Sequence, residues 1–298
     1  MEKVIFWSEE FDPEKEAPCI VAGMPNEVYH ATNAISKSGL DRIEKTPAHY
    51  KYGEFSESKA MEIGTALHAA ILEPDVFKAD FLMLPEIKDR RASEYKQAVK
   101  SHGKGNVLVG KECGQINGMV DAIRANYKAQ KLLNSYEGFR ELSFFAYDPV
   151  TGVLCRCRFD ALVGDNGEYD AIDLKTTADA GDSGYLAFQN TIAARRYHVQ
   201  DAFYSDVFEW VTGKKINKFW FIAVESKKPH GVICRHLDPD SIQVGRDEYR
   251  VNLDTYSQCL NTDSWPCYYQ PESDEDCEIS LPEWKWRQIE NDTQNEIY

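Results

Sequence analysis

Asp173 and Lys175 stand two residues apart in the run "YDAIDLKTTADA", with Ile172 and Leu174 interleaved. Charges inside an apolar run cost several kcal/mol unless they are paired or bind a metal. Strand side chains alternate, so Asp173 and Lys175 share one face and Ile172 and Leu174 take the other. Just upstream, Asn166-Gly167 reads as a two-residue type I′ hairpin turn. That turn sets Asp165 opposite Glu168 and, further along the strands, Asp160 opposite Asp173. Alternation also groups Asp160 with Arg156 and Arg158, away from Phe159 and Ala161.

Directly opposed β residues hold their Cβ atoms about 5 Å apart, so two carboxylates there repel. A hard divalent cation compensates: Mg²⁺ takes carboxylates together with waters and phosphate oxygens. Lys175 on the same face can stabilise charge developing on a phosphate or orient a metal-bound water. The chemistry indicated is phosphoester cleavage, with Asp160, Asp173 and Lys175 catalytic. Glu141 is a possible third carboxylate, placed opposite Phe159 or Asp160 depending on a bulge. His68 is either an ordinary helical histidine or a metal ligand. Arg196, Gln200 and Tyr204 form a polar column at i, i+4 and i+8, suited to a phosphate backbone or to a solvated helix edge.

The elements that must position these residues follow from periodicity and punctuation. "NAISKSGLDRIEKTPAHY" predicts a helix capped by Ser36 or Ser38 and ended by Pro47, and "SKAMEIGTALHAAILEP" predicts a second, carrying His68 and ended by Pro74. The basic stretch 86–106, whose Arg90 and Arg91 are candidate DNA contacts, has little apolar periodicity and reads as a loop or mobile lid. A third helix spans "GQINGMVDAIRANYKAQKLL". The segment "ELSFFAYDPVTGVLCRCRFDALVGDNGEYDAIDLKTT" gives three antiparallel strands in a meander. A helix follows, with Val199, Phe203, Val207 and Trp210 as its apolar stripe. Two further strands, "KFWFIAVES" and "HGVICRHLD", a helix near 238–260 and an acidic tail complete the chain.

The 298 residues carry a net charge of -15, which argues against phosphate binding over the whole surface and confines any nucleic-acid contact to a focused groove. No window approaches the ~20 apolar residues of a membrane span, and the start lacks a secretory signal pattern. Eight cysteines without a paired CxxC argue against a zinc or iron–sulfur cage and for reduced thiols. The expectation is one cytoplasmic α/β domain over 1–298: a helical part 30–135, a sheet core 139–237, and a C-terminal helix and acidic tail 238–298.

These residues together resemble the PD-(D/E)xK nuclease superfamily, and within it the exonuclease VIII (RecE) family of phage and prophage recombination nucleases. The resemblance rests on "ISKSGLDRIEKTPAHY", "GTALHAAILEP", "CRFDALV", "AIDLKTT", "YHVQDAFYSDVF", "WPCYY" and "LPEW". It implies a restriction-endonuclease-like core, a mixed and mainly antiparallel sheet flanked by helices. It further implies a Mg²⁺-dependent exonuclease, with Mn²⁺ able to substitute, that degrades duplex DNA from 5′ ends and leaves 3′ overhangs for a single-strand annealing recombinase. Relatives form rings around DNA, so a ring-shaped homo-oligomer is implied. By resemblance His68, Asp160 and Asp173 are metal ligands, Lys175 is the catalytic lysine, and Gln200 with Tyr204 forms a QxxxY helix. Two other readings compete: an endonuclease of the same fold acting in restriction or repair, and a non-catalytic acidic DNA mimic.

Overall fold

The computed structural model describes residues 4–54, 58–134, 139–165, 167–177, 185–268 and 277–295. Its strands are β1 (Val4–Phe6), β2 (Cys19–Ala22), β3 (Leu82–Leu84), β4 (Val107–Val109), β5 (Phe139–Tyr147), β6 (Leu154–Asp165), β7 (Glu168–Thr177), β8 (Ile216–Glu225) and β9 (Val232–Arg235). Seven of them form a mixed sheet in the order β1-β2-β5-β6-β7-β8-β9. The pairs β1–β2 and β7–β8 are parallel, and the other ladders are antiparallel.

The meander β5-β6-β7 forms as the turn signals require. Asn166 lies outside the described residues, but the flanking pair Asp165–Glu168 and the steps that follow it carry the register of a two-residue turn. Parallel strands need a long crossover. The helices Tyr185–Ala194 and Tyr197–Thr212 supply it between β7 and β8.

Both faces of the sheet are covered, so its central strands are apolar on both sides. Phe144, Phe159 and Phe221 pack on one face with Val199, Phe203 and Phe208 of the Tyr197–Thr212 helix and Tyr249 of the Pro239–Thr262 helix. Ile172, Leu174 and Ile222 pack on the other with Leu67 of the Lys59–Leu72 helix and Ile116 and Met119 of the Lys111–Ala125 helix. Trp210, expected in the core stripe, is only partly buried.

Several elements differ from the sequence expectation. The stretch 86–106 is not a loop throughout: Ser93–His102 is helical, and β3 pairs in parallel with β4 over a small core of Tyr95, Ala98, Val107 and Val109. Strands of three residues leave no period to read. The third helix is two, Lys111–Ala125 and Tyr127–Asn134, because the Asn126 carboxamide accepts the Ala129 N–H at 3.0 Å and starts a new helix. Ser36, not Ser38, caps the Lys37–Lys45 helix by accepting from the Gly39 N–H at 3.3 Å, and Pro47 opens a further helix, Pro47–Tyr52. Strands β1 and β2 went unread for the same brevity. All eight cysteines are free. Among the described residues no helix is long and apolar enough to cross a membrane.

Candidate active site

The β6–β7 ladder stops at Ala161–Ile172, one step short of the expected Asp160–Asp173 pair. In place of a strand partner, the Leu174 N–H donates to Asp160 Oδ2 at 2.7 Å. Strand β7 continues beside β8 as far as Thr177–Glu225, so the sheet forks at Asp160. The other ladder of β6 opens at the same residue. Arg140 pairs with Ala161 and Leu142 with Phe159, which leaves Glu141 facing Asp160 outside the ladder.

Glu141 sits there at φ 51, in the left-handed region. For a residue with a Cβ this costs about 1–3 kcal/mol and recurs at functional sites. A second consequence overturns part of the sequence reading. Phe159 faces one core and Ala161 the other, so β6 changes face at Asp160 and strict alternation fails there. Because β5 slips at the same step, register survives while the pleat shifts. Asp160 is thereby turned toward the gap between strands and not stacked with Arg156 and Arg158. Those two arginines instead bond the carbonyls of Thr32, His30 and Met24 in the N-terminal segment.

His68 reaches the fork from the helix Lys59–Leu72. Its Nε2 lies 2.7 Å from the Leu174 carbonyl, which can only accept, so Nε2 carries the hydrogen. In the neutral ring the Nδ1 lone pair then points at Asp160 Oδ2, 3.4 Å away. A lone pair facing a carboxylate is favourable only with a proton or a cation between them. The donor atoms of His68, Glu141 and Asp160 all lie within 4.8 Å of one another. A histidine oriented through its other nitrogen beside two carboxylates is a donor set suited to a divalent metal.

Electrostatics point the same way. Burial pushes the Glu141 carboxyl up to about 8, with the Asp160 charge adding to it. Burial likewise raises Asp160 to about 6, opposed by His68 and reinforced by Asp173. Without a cation these carboxyls resist ionising together. A bound divalent ion would supply the missing charge, polarise a phosphate and activate a water.

Asp173 lies outside that donor group. Gln200 Nε2 donates to its Oδ1 at 2.5 Å, and Lys175 Nζ is 2.6 Å from its Oδ2. Burial pulls the Lys175 ammonium down, but Asp173 outweighs it and the group is held above its ordinary range. It therefore stays charged. The Tyr197 ring lies under it at 4.8 Å, a cation–π contact that sequence reading missed because a lone tyrosine at a helix start carries no signal.

The residues read as nucleic-acid contacts are mostly engaged within the protein. Gln200 is buried against Asp173, and Tyr204 packs edge-on against Phe159 at 5.3 Å. Arg196 is held by Glu248 at 3.0 Å and faces Asp41 at 3.4 Å, tying three helices together. Arg90 is clasped by Glu62 and Glu112. Arg91 is exposed and paired with Asp89. The polar column was legible as a column. Which way it faced was not, because the neighbours that claim its side chains come from distant segments.

A forked α/β sheet, two strand carboxylates and a lysine two residues beyond the second define the PD-(D/E)xK nuclease superfamily. The chain belongs to the family described as PDDEXK-like domain of unknown function (DUF3799), whose model matches residues 36–279. A crystal structure named "Putative exonuclease" from Eubacterium rectale is similar over 87% of this chain and 100% of its own, with TM-score 0.58 and 14% identity. At that identity it shows the fold alone. SSO0001 covers 65% of this chain and 85% of its own at 17% identity, but its TM-score of 0.28 carries no weight. No curated protein matches this chain.

Proposed function

We propose that this nuclease is a divalent-metal-dependent exonuclease that degrades one strand of linear duplex DNA from its 5′ end. The 3′ overhang it leaves would serve a single-strand annealing recombinase. Mg²⁺ is the expected ion, with Mn²⁺ able to substitute, and a ring-shaped homo-oligomer is the expected assembly. The observation that carries the reading is the gap at Asp160. There His68, Glu141 and Asp160 offer donors to one ion beside the charged Lys175.

Each residue has a task in hydrolysis. His68, Glu141 and Asp160 would hold the metal and through it the scissile phosphate. Lys175, kept as an ammonium by Asp173, meets the negative charge that builds on phosphate oxygens in the transition state. Gln200 and Leu174 fix Asp173 and Asp160 in place.

The test uses linear duplex labelled at either end and a covalently closed circle, each with Mg²⁺. Loss of 5′ label before 3′ label, with the circle intact, is the expected result. A cut circle replaces the proposal with an endonuclease, and no hydrolysis of any substrate returns it to the acidic DNA mimic.

A further inference from the structure

The stretch 86–106 carries six lysines and arginines against three acids, on a chain of net charge -15. Its two arginines are engaged within the protein: Glu62 and Glu112 clasp Arg90, and Asp89 holds Arg91. Its four lysines are not. Lys88, Lys96, Lys100 and Lys104 are all exposed, and among the described residues no carboxylate pairs with them.

The helix Ser93–His102 gives these charges a fixed surface. Tyr95 and Ala98 are buried with Val107 and Val109 of β4, so the opposite face of the helix points to solvent. Lys96 and Lys100 stand on that face at i and i+4, about 6 Å apart along the axis. Lys104 follows just past Gly103, whose φ of 83 ends the helix. Arg90 braces this unit against the site. Its guanidinium lies 5.7 Å over the Tyr95 ring while bonding Glu62, on the same helix as His68. Glu62 precedes His68 by six residues, about 9 Å of helix rise.

We propose that this lysine face binds the backbone of duplex DNA whose end lies at the Asp160 fork, an inference that rests on the nuclease reading. Ammonium groups bind phosphates without regard to sequence, by displacing counterions. Among the described residues of 86–106 no phenylalanine, tyrosine or tryptophan is exposed, so the face offers no such ring to an unstacked base. A duplex carries the phosphates of both strands, one charge per ~1.7 Å of axis, and returns more per contact than a single strand. The face therefore favours the duplex.

The full chain in EDTA is titrated into a labelled blunt duplex of about 20 base pairs and into oligothymidylate of equal length, read by fluorescence anisotropy. Lys96→Ala/Lys100→Ala should weaken duplex binding at least about tenfold at low salt and lower the log–log salt slope by about 1.8. Both positions are exposed on a helix that alanine favours, so the melting temperature should hold. Lys214→Ala/Lys215→Ala, just past the C-terminal end of the helix holding Gln200, should change neither affinity nor slope. Equal behaviour of the two pairs, a loss confined to oligothymidylate, or a wild-type chain that ignores the duplex at low salt overturns the proposal. A changed sedimentation rate with duplex affinity intact also overturns it and assigns the lysines to an acidic protein surface. EDTA withholds the metal, so binding is read apart from hydrolysis. A chain that binds the duplex through Lys96 and Lys100 yet hydrolyses nothing in Mg²⁺ would sink the nuclease reading and leave this surface standing.

Discussion

Asp160 accepts the backbone N–H of Leu174 at 2.7 Å, and the carbonyl of the same residue faces His68 Nε2 at 2.7 Å. The residue between Asp173 and Lys175 therefore anchors the other half of the site by its main chain, while its side chain is buried in the core. Asp160→Asn keeps an acceptor for Leu174 but removes the charge. Hydrolysis should fall well beyond the ~10–100-fold typical of losing an outer partner of a metal site. The melting temperature without metal should equal or exceed that of the wild type, since one of the crowded carboxylates is gone. An active Asp160→Asn enzyme would remove Asp160 from the metal site.

Gln200 is buried and donates to Asp173, which makes it a positioning residue in the proposed site. Gln200→Ala removes a buried hydrogen bond to a charged acceptor, a loss of about 1.5–3 kcal/mol in stability. The loosened Asp173 should lower kcat about 10–100-fold with KM little changed. A variant altered mainly in KM would show that Gln200 contacts DNA after all.

The raised carboxyls make metal binding and stability pH-dependent with a fixed sign. Glu141 near 8 and Asp160 near 6 bind more protons in the folded than in the unfolded chain. Their contribution to folding stability in EDTA is therefore fully present below the unfolded carboxyl range and is lost as pH rises through about 6 to 8. A divalent ion binds the ionised forms, so the rise in melting temperature given by Mg²⁺ should grow over that interval. Thermal scans with EDTA and with Mg²⁺ from acid to mildly alkaline pH read this directly. A flat EDTA profile would mean the carboxyls are not held in one low-dielectric cluster.

Local rules made half of this site legible. Period-two alternation put Asp173 with Lys175, and the chemistry of a short turn brought Asp160 beside them. The fork was not legible, because the β5–β6 register is the same on both sides of Asp160 and the divergence shows only as the end of the β6–β7 ladder and a change of face. The third donor, Glu141, could be placed only within one residue of Asp160, since nothing local signals a left-handed glutamate. The helical column of Arg196, Gln200 and Tyr204 was visible in spacing, but its orientation depended on Asp41, Asp173 and Phe159 from three other segments.

Glu141 separates the demands of folding from those of chemistry. Its φ of 51 strains the backbone, and its carboxylate sits opposite another. Glu141→Ala and Glu141→Gly both remove the carboxylate and should both lose metal-dependent hydrolysis. Only glycine also relieves the backbone. A left-handed residue with a Cβ costs about 1–2 kcal/mol, so the glycine variant should be more stable than the alanine variant by roughly 1 kcal/mol, less the unfolded-state entropy of glycine. Urea unfolding of the two variants measures the difference. Alanine equal to or more stable than glycine would show that the strand is not held in the left-handed region, and the ladder gap at Asp160 would lose its cause.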